Sequence, residues 1–206
     1  MDAQTCIKKL GYVGVLNFAT VDEHGAPQVR NISALHFEED ALYFFTARGK
    51  EFCRQLLADG RVQISGYTRY KESIRLSGRA VPVPDSEQEK WIRTIFEEQP
   101  YLENVYPGDT KKIGIIFCVR GFAIEYFHLG VNPIFRETYE VGEGKADRKG
   151  YEITEGCIGC GKCLKVCPQK AVEKGEPAPY RIMQEHCLHC GNCYENCPKQ
   201  AIIRRS

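Results

Sequence analysis

The feature that most constrains this chain is a doubled run of cysteines near its C-terminal end. Eight of the eleven cysteines fall in two runs, and each run has the spacing Cys-x2-Cys-x2-Cys-x3-Cys-Pro. The first run is Cys157, Cys160, Cys163 and Cys167, and the second is Cys187, Cys190, Cys193 and Cys197. The two runs begin thirty residues apart. So few residues separate the cysteines that this part of the chain must fold around whatever the thiolates bind.

The spacing within each run predicts iron–sulfur ligation. Two residues between successive cysteines let three thiolates converge on three corners of a cube, whereas the fourth cysteine lies too far along and reaches the neighbouring cube. Two [4Fe–4S] clusters with crossed fourth ligands are therefore predicted. One cluster is predicted to bind Cys157, Cys160, Cys163 and Cys197. The other is predicted to bind Cys187, Cys190, Cys193 and Cys167.

The two halves of this region also repeat outside the cysteines. Gly161 matches Gly191, and Pro168 matches Pro198. The region, roughly residues 150–206, resembles a bacterial-type two-cluster ferredoxin. Zinc is a weaker alternative, since zinc sites use two pairs of ligands rather than triplets followed by Cys-Pro. Disulfides are weaker still because no secretory signal accompanies the cysteines.

The charge and the remaining composition limit the choice of partners. The chain has 28 basic and 27 acidic residues, a net charge of +1, so no basic face for nucleic acid is predicted. No apolar run approaches the length of a membrane span, and the N-terminal residues lack the apolar core of a signal peptide. We therefore expect a cytoplasmic protein that binds neither nucleic acid nor membrane. Exposed cubane clusters further suggest an oxygen-poor, anaerobic setting.

The residues before the cysteine region are rich in strand signals. Alternating segments separated by short polar turns predict an antiparallel meander, and two helices interrupt it. Asp22–Gly25 is predicted as one of the turns, and residues 27–37 are predicted as a single strand. The first helix covers Gly49–Asp59, and the second begins after Pro84 with a capping box at Ser86 and Glu89. The predicted fold class is α+β. It consists of an N-terminal six-stranded antiparallel split β-barrel with two helices and a small C-terminal ferredoxin-like two-cluster domain.

Two segments of this N-terminal region carry a family resemblance: PQVRNISALHF and ALYFFTARGKEFCRQLLADGRVQIS. They resemble the pyridoxamine-phosphate-oxidase-like FMN-binding split barrels. In such proteins one strand lies along the FMN, and the strand ending in Phe-Thr leads into a loop and helix that hold the phosphate. The resemblance implies that Arg30, Asn31, Ile32 and Ser33 flank the flavin. It also implies that Phe45, Thr46 and Lys50 lie at the phosphate end.

The chemistry of these residues suits an anion. A phosphate dianion needs donors, and the Thr46 hydroxyl, the Lys50 ammonium and the free N–H groups of the following helix would supply them. Arg30 offers a planar pair of donors for phosphate or a flavin oxygen. A barrel without flavin, or one binding another ligand such as haem, remains the alternative.

The chain departs from the oxidase that gives the family its name, because the Arg-x-His motif that grips pyridoxamine is absent. The predicted domains are residues 1–135 for the barrel, 136–150 for a polar linker and 151–206 for the cluster domain. We expect a homodimeric flavin and iron–sulfur oxidoreductase that passes electrons between the clusters and FMN and reduces a small organic acceptor. The alternative is an electron-transfer module that serves a redox partner, such as a ferredoxin or a reductase, without a substrate of its own.

Overall fold

The computed structural model describes residues 1–205. One antiparallel sheet of nine strands dominates the part before the cysteines, in the order β2-β1-β5-β6-β7-β4-β3, and β8 pairs with β6 and β9. The strands are β1 (Leu16–Val21), β2 (Pro27–Ile32), β3 (Leu35–Phe37), β4 (Ala41–Ala47), β5 (Arg61–Tyr67), β6 (Glu72–Pro82), β7 (Gly114–Arg120), β8 (Phe122–His128) and β9 (Phe135–Val141). The helices of this part are α1 (Ala3–Val13), α2 (Glu51–Ala58), α3 (Asp85–Glu98), α4 (Leu102–Val105) and a 3₁₀ helix (Gly108–Ile113).

The chain divides into two compact units. The first comprises Met1–Thr68, Ser73–Glu125 and Thr138–Ala146, and the second comprises Arg69–Glu72, Tyr126–Glu137 and the chain from Asp147 onward. The second unit carries seven short elements of its own after the sheet ends. They are β10 (Tyr151–Ile153), α5 (Lys162–Val166), β11 (Val172–Glu173), β12 (Arg181–Ile182), a 3₁₀ helix (Gln184–His186), α6 (Asn192–Glu195) and β13 (Ile202–Arg204).

The sheet curls because residues 27–37, predicted as one strand, form two strands, β2 and β3. Residues 27–37 were predicted as one strand, but Leu35 N–H donates to the Ser33 carbonyl at 3.0 Å and the chain turns there. Before the turn β2 pairs with β1, and after it β3 pairs with β4. Since β2 and β3 lie at opposite ends of the strand order, this turn joins the two edges of a half-barrel.

The sheet has nine strands rather than the six predicted, and this split is one source of the difference. A second source of the difference is β9, which lies mostly within residues 136–150, the segment predicted as a linker. Its burial pattern shows no clean alternation of buried and exposed positions, so hydrophobic periodicity does not reveal it.

The core of the first unit lies on both faces of β4. All seven residues of β4 are buried. Phe44 packs on one face against Phe18 and Phe52, with ring centres 4.9 and 5.7 Å away. Tyr43 packs on the other face and stacks on Trp91 of α3 at 3.8 Å. Because α2 and α3 cover opposite faces of this strand, both helices are fixed relative to the end of β4.

Helix α3 has the predicted apolar stripe but not the predicted cap. Trp91, Ile95 and Phe96 are buried, as the periodicity indicates. The helix begins at Asp85 with Pro84 as its N-cap and no side-chain capping hydrogen bond. Ser86 therefore lies inside the first turn, and the capping box predicted there does not form.

No helix within residues 1–205 is both long enough and apolar enough to cross a membrane.

Gly144 should be intolerant of any side chain. A Cβ at this position would lie 2.2 Å from the Phe122 carbonyl carbon and 2.3 Å from its oxygen. The obstacle is backbone, which cannot rotate away as a side chain can. We expect Gly144→Ala to destabilise the first unit by about 1–3 kcal/mol. Urea unfolding followed by fluorescence of Trp91, the only tryptophan, measures this effect.

Gly49→Ala is the matched control for that substitution. No atom lies within 4 Å of a Cβ at Gly49, and neither glycine has a positive φ. We expect the unfolding midpoint of Gly49→Ala to stay close to that of the wild type. Equal midpoints for the two variants would contradict the clash at Gly144.

Candidate functional site

Four cysteines line one cavity in the second unit. They are the three closely spaced cysteines of the first run and the last cysteine of the second run: Cys157, Cys160, Cys163 and Cys197. A second cavity has the reciprocal lining: Cys187, Cys190, Cys193 and Cys167. The chain therefore groups the eight thiols as the crossed ligand pattern requires. No disulfide joins any of them.

Backbone N–H groups point at the sulfur atoms in the same way in both halves. Gly159 N–H donates to Cys157 Sγ, and His189 N–H donates to Cys187 Sγ, both at 3.4 Å. Ala171 and Ala201 make the corresponding bonds to Cys167 and Cys197, both at 3.3 Å. Such donors stabilise thiolate charge, which suits sulfur atoms that ligate a metal.

The loops that aim these donors need unusual backbone conformations. Gly161 and Gly191 are left-handed, with φ of 71° and 80°, and each precedes a short helix. His189 is also left-handed, with φ of 58°, where the other half has Gly159 at 69°. A Cβ at Gly191 would lie 2.8 Å from the Tyr151 hydroxyl, so a larger residue there would also have to displace the Tyr151 ring.

Burial makes the thiolates costly unless a cation balances them. Burial raises the pKa of the Cys193 thiol to about 11, and it raises the pKa of Cys187 and Cys163 as well. Bound iron would supply the compensating charge, because a metal deprotonates a coordinating thiol outright. Within residues 1–205, no three His, Cys, Asp or Glu side chains converge closely enough to hold a single metal ion. The four thiols around each cavity fit a multi-iron group.

The other predicted site begins on β2 with Arg30. Its guanidinium donates to Gln55 Oε1 at 2.9 Å and to the Thr20 hydroxyl, and it lies 4.6 Å from the centre of the Phe52 ring. The Thr20 hydroxyl also donates to Gln55 Oε1, at 2.6 Å. These contacts use two of the five N–H donors of Arg30. Burial lowers the pKa of Arg30 from its ordinary value, but a guanidinium stays charged in proteins.

The neighbours of Arg30 on β2 do not all share its face. Side chains alternate along a strand, so Asn31 projects from the opposite face to Arg30 and Ile32. Asn31 is exposed and lies opposite Asn17 in the register with β1. Beyond the strand, the Ser33 hydroxyl hydrogen-bonds the Tyr101 hydroxyl at 2.5 Å.

Phe45 and Thr46 lie at the end of β4, next to the turn that follows β2. Phe45 N–H donates to the Ala34 carbonyl at 3.0 Å, which brings the two segments side by side. Both side chains are buried. The Phe45 ring makes edge contacts with Phe96 and Tyr106, at 5.3 and 5.1 Å between ring centres. The Phe45 ring is therefore used in packing beneath α3.

Lys50 lies at the start of α2, the helix that also holds Arg30. It is the N-cap residue and makes no side-chain capping bond. Its ammonium is exposed, 5.8 Å from the centre of the Tyr106 ring. The first N–H groups of a helix have no partner within it, and the helix dipole favours an anion at that end. Lys50 and the first turn of α2 thus offer the kind of donors that a phosphate group needs, and Arg30 contacts Phe52 and Gln55 of the same helix.

Sequence reasoning missed the residues that position these side chains. Thr20 and Gln55 hold the guanidinium of Arg30, and Tyr101 holds Ser33. Only Gln55 left a signal, as a polar residue among the apolar positions of its helix, where it is 8% exposed.

Comparison with protein families matches two parts of the chain. A family model described as pyridoxamine 5′-phosphate oxidase matches residues 8–115, more than half of the chain. A model described as 4Fe-4S dicluster domain matches residues 149–198. These matches confirm the two resemblances found in the sequence.

Relatives and solved structures extend this result. A pyridoxine/pyridoxamine 5′-phosphate oxidase from Anaeromyxobacter dehalogenans (strain 2CP-C) is 31% identical over 77 residues. The match covers 37% of this chain and 39% of that protein, so the chain spans under two fifths of that relative's length.

Two solved structures share the fold. A NimC/NimA family protein from Clostridium acetobutylicum superposes with a TM-score of 0.54 at 22% identity, covering 66% of this chain and 93% of that one. A pyridoxamine 5′-phosphate oxidase-related, FMN binding protein from Nostoc punctiforme PCC 73102 gives 0.50 at 17% identity, covering 68% and 93%. Both likenesses confirm the α+β fold class with its curled antiparallel sheet.

Proposed function

Because the chain belongs to the pyridoxamine 5′-phosphate oxidase family and also carries a 4Fe-4S dicluster domain, we propose that it is an electron-transfer oxidoreductase with one FMN and two [4Fe–4S] clusters. The observation that carries this proposal is the pair of four-cysteine cavities on a chain of this family. Iron–sulfur clusters exchange single electrons, whereas bound FMN exchanges one or two, so together they couple a one-electron donor to a two-electron acceptor.

The chain's own residues bind and orient these groups. The cysteines of each cavity supply four thiolates, and the N–H groups of Gly159, His189, Ala171 and Ala201 stabilise their charge. The start of α2 and Lys50 receive the FMN phosphate. Arg30, held by Thr20 and Gln55, adds a fixed positive charge beside the same helix.

We further propose that the acceptor is a small organic molecule that stacks on the flavin. A partner protein that docks and withdraws the electrons directly is the competing function. Pyridoxamine phosphate oxidation itself uses oxygen and needs no iron–sulfur clusters. Membership of the family therefore supports the fold of this chain, and we do not propose that the chain oxidises pyridoxamine phosphate.

We also propose a homodimer. β2 is an edge strand of the sheet, and its Val29 side chain is 70% exposed. An exposed edge strand presents unpaired backbone N–H and C=O groups, which a second copy can pair with.

Anaerobic purification tests the cofactor content. We expect about eight irons and equal inorganic sulfide per chain, as two clusters require, together with releasable FMN. The reduced protein is then mixed with nitro compounds, azo compounds, quinones and enones. Rapid reoxidation by one of these supports a reductase. Reoxidation only by an added ferredoxin supports the competing function, and full iron without FMN uptake contradicts the flavin assignment.

A further inference from the structure

The two cysteine cavities are related by the thirty-residue repeat but differ in their positive charges. Lys162 and Lys199, both exposed, line the cavity of Cys157. Asn192 and Gln169 take the same repeat positions at the cavity of Cys187. The repeat thus places two solvated cations at one cavity and neutral amides at the other.

The cavity of Cys187 has a different cation, which comes from outside the repeat. Arg136 of β9 belongs to the same compact unit and lies ahead of the residues that match the dicluster model. Its Nη1 contacts both ring nitrogens of His189, at 3.1 Å from Nε2 and closer to Nδ1. A guanidinium has donors only, so the imidazole accepts.

Packing fixes this guanidinium in place. It lies 4.6 Å from the centre of the Phe127 ring, and the Arg136 side chain is half-buried. His189 in turn donates its backbone N–H to Cys187 Sγ. Arg136 is therefore close enough to act on this cavity electrostatically.

A fixed charge in a partly buried site acts more strongly than a solvated one. Charges at the surface are screened by water and salt, whereas a half-buried guanidinium interacts through a lower effective dielectric constant. A cluster becomes more negative when it is reduced, so a fixed cation favours the reduced form. The exposed Lys162 and Lys199 should have a smaller effect on their own cavity.

We propose that the fixed charge of Arg136 raises the reduction potential of the cluster bound by Cys187, Cys190, Cys193 and Cys167 above that of the other cluster. This inference rests on the proposed function, because it requires both clusters to be present. Unequal potentials give electron transfer between the two sites a preferred direction, from the lysine-lined cavity toward the Arg136 cavity. His189, where the other half has Gly159, provides the ring that holds the guanidinium.

Anaerobic redox titration of the full chain, followed by electron paramagnetic resonance, tests this inference. We expect Arg136→Gln to lower one midpoint by about 59 mV, a tenfold change in the equilibrium constant of a one-electron couple. Arg136→Lys keeps the positive charge, so its midpoint potential should lie close to that of the wild type. Lys162→Gln, which removes an exposed cation from the other cavity, should leave both midpoints nearly unchanged.

Cysteine β-proton NMR signals identify which cluster has shifted. Tyr151 lines only the Cys187 cavity and Tyr180 only the Cys157 cavity, so contacts to these rings distinguish the two sets. His189→Gly is the second variant, should Arg136→Gln fail to hold both clusters. Glycine suits the positive φ at this position and retains the backbone N–H that donates to Cys187 Sγ. Arg136 loses its contact with the imidazole, so the midpoint potential of the Cys187 cluster should fall as it does in Arg136→Gln.

The outcomes separate the two proposals. Wild-type protein without about eight irons contradicts the proposed function. If the variants contain full iron and both midpoint potentials are unchanged, the role of Arg136 is overturned while the proposed function stands. A shift of the Cys157 cluster instead of the Cys187 cluster also overturns it.

Discussion

Removing Cys167 and Cys187 together will leave one intact four-cysteine cluster, although these residues belong to different runs. Both line the same cavity, so the double alanine variant should lose that cluster and keep the one bound by Cys157, Cys160, Cys163 and Cys197. The expected iron content is about four per chain, half of the content that two clusters require. Iron and sulfide analysis of the anaerobic protein measures this directly.

The matched control removes two cysteines from the same run. Cys163 and Cys167 line different cavities, so their double alanine variant damages both sites. We expect it to retain no cluster with four cysteine ligands, which electron paramagnetic resonance of the reduced protein detects. If this variant instead keeps one intact cluster while Cys167→Ala/Cys187→Ala keeps none, the ligands are not crossed.

Losing a cluster should also destabilise the second unit. The cysteines form part of the core of this unit. The side chains that pack with them are Tyr151, Ile153, Ala171, Val172, Tyr180, Ile182 and Ile202. In small metal domains the free energy of metal binding is largely the free energy of folding. The variants should therefore show increased protease cleavage after Asp147, with the first unit still folded.

The cysteine grouping could be predicted because ligand spacing is a local property of the sequence. Short loops with fixed spacing can reach only certain corners of a cube, and the structure gathers the thiols accordingly. Arg136 could not be predicted in this way. It is 53 residues from His189, and its polar segment shows no periodicity that indicates a strand.

The barrel shows the same contrast between local and long-range information. The turn at Asp22–Gly25 was readable, because the Asp22 carboxylate accepts from the N–H groups of His24 and Ala26 and Gly25 has a positive φ. The break at Ser33 was not, since it depends on which edge each half of the segment pairs with. The roles of Thr20 and Gln55 could not be predicted for a similar reason, because these residues lie far from Arg30 in the sequence and contact it only in the folded chain.

Lys50→Ala will weaken FMN binding. The ammonium lies at the uncapped start of α2, where a charged hydrogen bond to phosphate contributes about 1.5–3 kcal/mol. The dissociation constant for FMN should rise by roughly ten- to a hundredfold. Titration of flavin-free protein with FMN, followed by quenching of flavin fluorescence, measures the change.

Arg54→Ala is the control on the same helix. Its guanidinium is also exposed, but it follows Lys50 by one helical turn and is already paired with Glu51 and, at 3.7 Å, with Glu23. If Lys50 acts through a contact with phosphate rather than through net charge, Arg54→Ala should leave the dissociation constant nearly unchanged. Equal weakening in both variants would remove Lys50 from the phosphate site and leave only a general electrostatic effect.

Arg30→Gln separates the contribution of β2 from that of α2. In the wild type, Gln55 Oε1 accepts from Arg30 at 2.9 Å and from Thr20 at 2.6 Å. The substitution removes the charge of Arg30 but keeps a side-chain amide that can still donate to Gln55 Oε1. The fold should therefore survive while FMN binding weakens about as much as in Lys50→Ala. Added riboflavin, which lacks the phosphate, should bind the wild type and both variants alike. If riboflavin binding falls in Arg30→Gln alone, Arg30 contacts the ring or the ribityl chain, and Lys50 and α2 hold the phosphate without it.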